Sequence, residues 1–237
     1  MFADKLLVAL DVDTGDRALA LASGLHDIVG GFKVGSRLFT LEGPALVHAM
    51  VATGARVFLD LKFHDIPNTV AKAVDSAVQT GAWMINVHAS GGVPMMKAAS
   101  LAGREAAARV GRPAPLLIAV TVLTSMDEDT LRATGVQRPV LEQVVTLARM
   151  TQDAGLDGVV ASPWEIQAIR AACGPEFAIV TPGIRTAADA GRDDQHRTMG
   201  PAEAVRAGAN YIVVGRPIIA AANPRAAAEQ IVTDMNA

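Results

Sequence analysis

Only one cysteine, Cys173, occurs in 237 residues. It can make no intrachain disulfide and no cysteine-based zinc site, so a cytoplasmic setting is expected. No His or Asn context marks it as a nucleophile. Aromatic side chains are also scarce, at 4%, so the core must be built from Ala, Val, Leu and Ile. Long basic runs are absent and the formal net charge is −3. That argues against a general nucleic-acid binder but leaves room for a local pocket for one phosphate. No uninterrupted apolar stretch reaches membrane-spanning length. The first apolar run, residues 6–10, is too short for a signal-peptide core and stops at Asp11, so neither membrane insertion nor secretion is expected. No G-x-G follows that run, since the chain continues Asp11-Val12-Asp13-Thr14-Gly15, and a dinucleotide site is not expected. The histidines do not fall at metal-ligand spacing, so no metal and no cofactor is expected.

What the chain does have is 51% hydrophobic and 19% charged residues, the composition of a globular protein with a sizeable core. Short apolar runs alternate with helical segments. Strands are expected at 6–10, 31–35, 56–62, 83–87, 116–123, 158–161, 178–181 and 211–214. Ala18, Leu21, Ala22, Leu25, Ile28 and Val29 fall at helical spacing, as do Val70, Val74, Ala77 and Val78. Further helices are expected at 38–53, 95–109, 140–154 and 201–207. Ser162-Pro163-Trp164-Glu165 combines an N-cap, a first-turn proline and a third-position glutamate, and Asn223-Pro224 opens a last helix similarly. Eight strand–helix alternations predict a parallel sheet. A closed (β/α)8 barrel of the TIM type explains the count best, with an open doubly wound sheet as the alternative. No linker or composition break appears, so residues 1–237 are expected to form one domain.

In a parallel barrel, reactive groups sit at the C-terminal ends of strands. Charges recur there: Asp11 after the first strand, Lys33 in the second, Asp60 and Lys62 at the end of the third, and Asp65 just beyond. Asp13 reads as a solvated turn residue. Strand side chains alternate, so Asp60 and Lys62 share a face while Leu59 and Leu61 share the other. If the leucines pack outward, the charges point into the barrel mouth. Burial there requires pairing, which two lysines and several carboxylates supply. Among carboxylates, Lys62 suits a proton donor better than an imine-forming amine. Arg185 after the seventh strand and Gly215-Arg216 after the eighth stand where barrels often hold phosphate. Residues 183–198 form a loop long enough to serve as a lid. His26, His48, His64 and His88 read as surface or structural residues.

The ten residues Asp60-Leu61-Lys62-Phe63-His64-Asp65-Ile66-Pro67-Asn68-Thr69 closely resemble the D-x-K-x-x-D-[IV]-P-x-T signature of the orotidine 5′-monophosphate decarboxylase family. The resemblance runs along the chain through Leu10-Asp11, Phe32-Lys33-Val34-Gly35, Asn86-Val87-His88-Ala89, Thr121-Val122-Leu123-Thr124-Ser125, Thr181-Pro182-Gly183-Ile184-Arg185, Asp194-Gln195 and Val214-Gly215-Arg216-Pro217-Ile218. It implies a cofactor-free carboxy-lyase that converts orotidine 5′-monophosphate to UMP and CO2, the last step of de novo pyrimidine biosynthesis. It also implies site roles. Lys62 would protonate C6 as CO2 leaves, and Asp60 would sit beside the departing carboxylate. Asp65 would complete the charge array from the neighbouring subunit of a homodimer. Lys33 would hold the array and the ribose, and Asp11 the ribose hydroxyls. Thr124 would lie near the pyrimidine, with Ile66, Thr69 and Pro182 also lining the substrate site. Gln195, Arg185, Gly215 and Arg216 would bind at the phosphate end.

Two other readings remain at this level. A metal-dependent sugar-phosphate decarboxylase of the same superfamily is similar around D-x-K-x-x-D but carries an acidic metal ligand where this chain has Lys33. A non-enzymatic phosphate-binding barrel would not need four charges crowded into one mouth.

Overall fold

The structure, a computed structural model, describes residues 2–184 and 199–236. Eight parallel strands close into a barrel in sequence order. They are β1 (Leu6–Ala9), β2 (Gly31–Gly35), β3 (Val57–Phe63), β4 (Met84–His88), β5 (Leu116–Val120), β6 (Gly158–Val160), β7 (Ala178–Thr181) and β8 (Tyr211–Val214). The pairing of β1 with β8, Leu6 opposite Ile212 and Val8 opposite Val214, excludes the open sheet. Helices α1 (Gly15–Leu25), α2 (Ser36–Ala52), α3 (Pro67–Gln79), α4 (Gly92–Arg109), α5 (Glu128–Ala133), α6 (Val140–Asp153), α7 (Ile166–Cys173), α8 (Pro201–Ala207), α9 (Arg216–Ile219) and α10 (Pro224–Met235) form the connections. Among the described residues, no helix is long and apolar enough to cross a membrane.

The strands read as continuous apolar runs because both faces are covered. Outward residues such as Val8, Val34, Leu59, Ile85, Ala119 and Ile179 pack against the helices in one large cluster. Inward residues Leu7, Ala9, Phe58, Met84, Ile118, Val180 and Val213 fill the barrel interior in a second. The period-two alternation then decides what comes next along each inward row. After Phe58 comes Asp60, after Met84 comes Asn86, and after Ala9 comes Asp11. The apolar filling thus gives way to polar groups at the C-terminal mouth.

Local signals act as expected at several helix starts. Thr14 accepts a hydrogen bond from Arg17 N, and Asn223 from Ala226 N, capping α1 and α10. Glu165 accepts from the backbone N–H of Ser162 at 2.8 Å, as the cap pattern requires. Three expectations need correction, and one helix is new. Helix α1 ends at Leu25, so Ile28 and Val29 pack from the following turn rather than from the helix. Strand β5 ends at Val120, not 123, and residues 121–123 run on towards the mouth. Helix α2 is two helices joined at Gly43, whose φ of 65° no helix contains and which precedes Pro44. Helix α5 lies in a stretch for which no element was expected, and Asp127 caps it through Thr130 N.

Candidate active site

The mouth holds a cavity of about 270 Å³. Its floor is apolar, with Phe58, Val120, Val160 and Val213. One wall carries alternating charges in a continuous chain. Lys33 Nζ lies 3.3 Å from Asp11 Oδ1 and 3.4 Å from Asp60 Oδ2. Lys62 Nζ lies 2.7 Å from Asp60 Oδ1. Asp60 is the buried centre of the array, 8% exposed. Burying a carboxylate is costly unless its oxygens are matched. Here Oδ2 faces Lys33, while Oδ1 accepts from Lys62 Nζ and from Asn86 Nδ2 at 2.6 Å. Asp11, at the rim, has a side chain 62% exposed.

The local backbone explains how Lys62 reaches Asp60. Lys62 has φ 53°, the single positive-φ non-glycine among the described residues. For an L-residue this conformation costs about 1–2 kcal/mol. Strands β3 and β4 also lose register here. Leu59 pairs with Ile85, but the next pair is Phe63 with Val87. Leu59 packs in the outer cluster and Leu61 against it, so Asp60 and Lys62 do share the mouth side. They do so through a bulge rather than a regular pleat. Gly35 contributes by its size: a Cβ there would stand 3.1 Å from Lys33 Nζ and crowd the ammonium.

Asp11, Lys33, Asp60, Lys62, Thr124, Pro182, Gly215 and Arg216 all line the cavity. Strand order places Arg216, after β8, on the far side of β1 from Lys33. Asp65, Ile66 and Thr69 are exposed and are not part of this lining. Asp65 accepts from Ile66 N at 2.6 Å, and among the described residues no ion pair joins it to the array. Arg185 and Gln195, with most of the expected lid, lie outside the described residues. Asp13 pairs with Arg37 at the exposed surface, consistent with a turn residue.

Three neighbours, Asn86, His64 and His88, were not legible as site residues. Asn86 is fully buried and touches both Asp60 and the backbone of Lys62. Its sequence signals are the inward alternation Met84–Asn86–His88 and its place in a stretch that carries the family resemblance, neither of which assigned it a role. His64 and His88 stack beside the array with ring centroids 5.4 Å apart. Burial first, then His64 and the Lys62 charge, push the pKa of His88 below the usual imidazole range. His88 Nδ1 and Ser90 Oγ are within hydrogen-bond distance at 2.9 Å.

An apolar pocket with convergent polar groups at a barrel mouth is where a substrate is expected. Its charge pattern suits an anion at the Arg216 side and a reacting group beside Asp60 and Lys62. Residues 4–231 match the model of the family described as orotidine 5′-phosphate decarboxylase / HUMPS. A protein of Moorella thermoacetica named orotidine 5′-phosphate decarboxylase is 55% identical over 233 residues, covering 98% of this chain and 92% of its own. A Legionella pneumophila protein of the same name is 49% identical over 231 residues, covering 98% and 99%. The crystal structure of orotidine 5′-phosphate decarboxylase from Lactobacillus acidophilus superposes with a TM-score of 0.86 at 38% identity, covering 98% of this chain and 99% of that one.

Proposed function

The chain belongs to the orotidine 5′-phosphate decarboxylase / HUMPS family, and from that membership we propose that it converts orotidine 5′-monophosphate to UMP and CO2. The observation that carries the proposal is the Asp11–Lys33–Asp60–Lys62 array on the wall of a cavity that also presents Arg216. The phosphate is assigned to Gly215 and Arg216, with Arg185 and Gln195 from the family pattern. The ribose is assigned to Asp11 and Lys33, and the pyrimidine to the surroundings of Thr124, Pro182, Ile66 and Thr69.

Asp60 then meets the substrate carboxylate. Two carboxylates about 4 Å apart repel by about 4 kcal/mol at an effective dielectric near 20. Loss of CO2 relieves that repulsion, worth about three decades of rate if fully realised. Enzymatic accelerations commonly run from about 10⁶ to 10¹⁷, so stabilisation of the developing charge must add more. Lys62 supplies it. As the C–C bond breaks, its electron pair stays on C6; the Lys62 ammonium faces that charge and donates its proton there, and solvent reprotonates the amine. No cofactor is assigned a step. Lys33 Nζ already stands between the Asp11 and Asp60 carboxylates, and a fixed ammonium there repels the divalent cation that a sugar-phosphate decarboxylase would use.

Asp65 is assigned to the neighbouring subunit's array in a homodimer. It is exposed and does not line its own subunit's cavity, and the adjacent Ile66 is a large apolar side chain left 66% exposed. Mixing inactive Lys62→Ala and Asp65→Ala chains should restore about a quarter of the sites through mixed dimers, by two-fold symmetry. No recovery despite mixed-dimer formation would place Asp65 in its own subunit's site.

The test of function is direct. Orotidine 5′-monophosphate is added to purified, chelator-treated protein and the loss of substrate absorbance is followed. Turnover is expected without added metal. A strict need for Mg2+ would move the protein to the sugar-phosphate branch, and no turnover under any condition would favour a binding protein.

A further inference from the structure

We propose that Asn86 is a positioning residue that sets the reach of Lys62. The inference rests on the decarboxylase reading for its kinetics and on geometry alone for its structural part. Between the pairs Leu59–Ile85 and Phe63–Val87, three residues of β3 face one residue of β4. Those three are Asp60, Leu61 and Lys62, and the one is Asn86. In a regular β3 the even-numbered backbone groups face β2, as the bond from Phe32 N to Arg56 O shows, and β2 pairing ends at Gly35 opposite Asp60, so the bulge turns the Lys62 amide towards β4. There it donates to the Asn86 side chain, N to Oδ1 2.8 Å. The other end of the same amide, Nδ2, donates to Asp60 Oδ1 at 2.6 Å. Both partners fix which end is oxygen and which is nitrogen, because an N–H needs an acceptor and a carboxylate needs a donor.

One fully buried side chain therefore closes the bulge and clamps two members of the array at once. It ties the left-handed backbone of Lys62 to the carboxylate that its own ammonium contacts at 2.7 Å. Asn86 does not line the cavity, so it acts through Lys62 and Asp60 rather than on substrate. Asparagine alone fits this double duty at its size. Aspartate offers no donor when ionised, and leucine offers neither group.

Asn86→Ala should lower kcat about 100-fold, the cost of a displacement of about 1 Å in a reacting group, while KM moves less than about threefold. Asn86→Asp keeps the shape and carries the sharper readout. Protonated, the new carboxyl can donate to Asp60 and accept from Lys62 N–H. Ionised, it faces Asp60 as a like charge, and such a pair holds one proton strongly. The kcat ratio of wild type to Asn86→Asp should therefore grow at least about tenfold between about pH 6 and pH 8. A pH-independent ratio, or Asn86→Ala with kcat within about threefold of wild type, would overturn the proposal. A crystal structure of Asn86→Ala or Asn86→Asp judges the geometry independently of any activity. Loss of the positive φ at Lys62 supports it, and an unchanged Lys62 backbone and Nζ position refutes it. If wild type fails to turn over orotidine 5′-monophosphate, the functional reading falls and the crystallographic comparison still decides the role of Asn86.

Discussion

The two ends of the barrel hold their cations in different ways. At the base, before β7 and β8, Arg170 of α7 is saturated. It donates to the carbonyls of Gly174, Pro175, Phe177 and Gly208 and to Asn210 Oδ1, all at 2.7–2.8 Å. Nearby, Arg56 donates to Gly30 O and lies 4.8 Å from the Trp83 ring centroid, which Tyr211 meets edge-on. Arg170 binds only neutral oxygens in these contacts, and Arg56 adds a long, exposed ion pair to Asp4 at 3.7 Å; none of these partners faces the cavity at the mouth. At the mouth, Lys33 and Lys62 bind carboxylates, the Lys62 side chain stays 40% exposed, and its backbone is left-handed. The base resembles a lock. The mouth holds charge and strain facing an open cavity, the arrangement expected where a fold gives up stability for chemistry. Barrels commonly divide stability and activity between these two faces.

Four perturbations sharpen the contrast, from the largest expected effect to the smallest. Lys62→Ala should cut turnover of orotidine 5′-monophosphate at least about 10⁴-fold, the upper range for loss of a positioned proton donor, with the circular dichroism spectrum unchanged. Near-normal steady-state rates in that folded variant would remove Lys62 from the mechanism. Arg216→Ala should raise KM for the nucleotide about 100-fold, a loss of about 2.7 kcal/mol in a charge-assisted contact. It should barely change the reaction of phosphate-free orotidine, and equal losses on both substrates would make Arg216 structural.

At the base the pattern reverses. Arg170→Met should destabilise the fold by about 2–4 kcal/mol in denaturant titrations, because several carbonyls lose a charged donor together, while kcat per folded molecule stays within about twofold. A stable Arg170→Met protein with impaired kcat would break the division between the ends. The smallest effect concerns pH. The folded-state pKa of His88 is depressed, so the unfolded chain takes up a proton more readily. The stability His88 contributes is full above its unfolded value of about 6.5 and is lost as pH falls through the folded value. Melting temperatures should drop from about pH 7.5 to about pH 5.5 in wild type and less steeply in His88→Gln. Parallel profiles would assign the acid sensitivity elsewhere.

Much of this was readable from the chain. Valine-rich runs broken by helical spacing revealed eight strands because each strand is buried on both faces. The alternation of Leu59 and Leu61 against Asp60 and Lys62 revealed the mouth charges. The pattern was silent where local chemistry interrupts periodicity. Gly43-Pro44 splits α2 inside a stretch whose apolar residues keep helical spacing, and Asp127 caps a short helix in an acidic stretch. The bulge at Lys62 leaves no trace in residue type, since lysine has no preference for positive φ. Asn86 looks like any polar residue near a strand end, and its importance comes from the register shift that places it opposite three residues. Arg185 was read from its place after the seventh strand and Gln195 from the family pattern, and both lie outside the described residues.

The central claim is that the mouth holds Lys62 in a costly conformation for the sake of the reaction. Comparing the unfolding free energies of Lys62→Gly and Lys62→Ala tests it most directly, because both variants lose the ammonium. Positive φ favours glycine by about 1–2 kcal/mol, while its greater unfolded-chain entropy disfavours it by about 0.5–1 kcal/mol. The account predicts two inactive proteins with the glycine variant at least as stable as the alanine variant. An alanine variant more stable by the ordinary entropic difference of about 0.5–1 kcal/mol would contradict it.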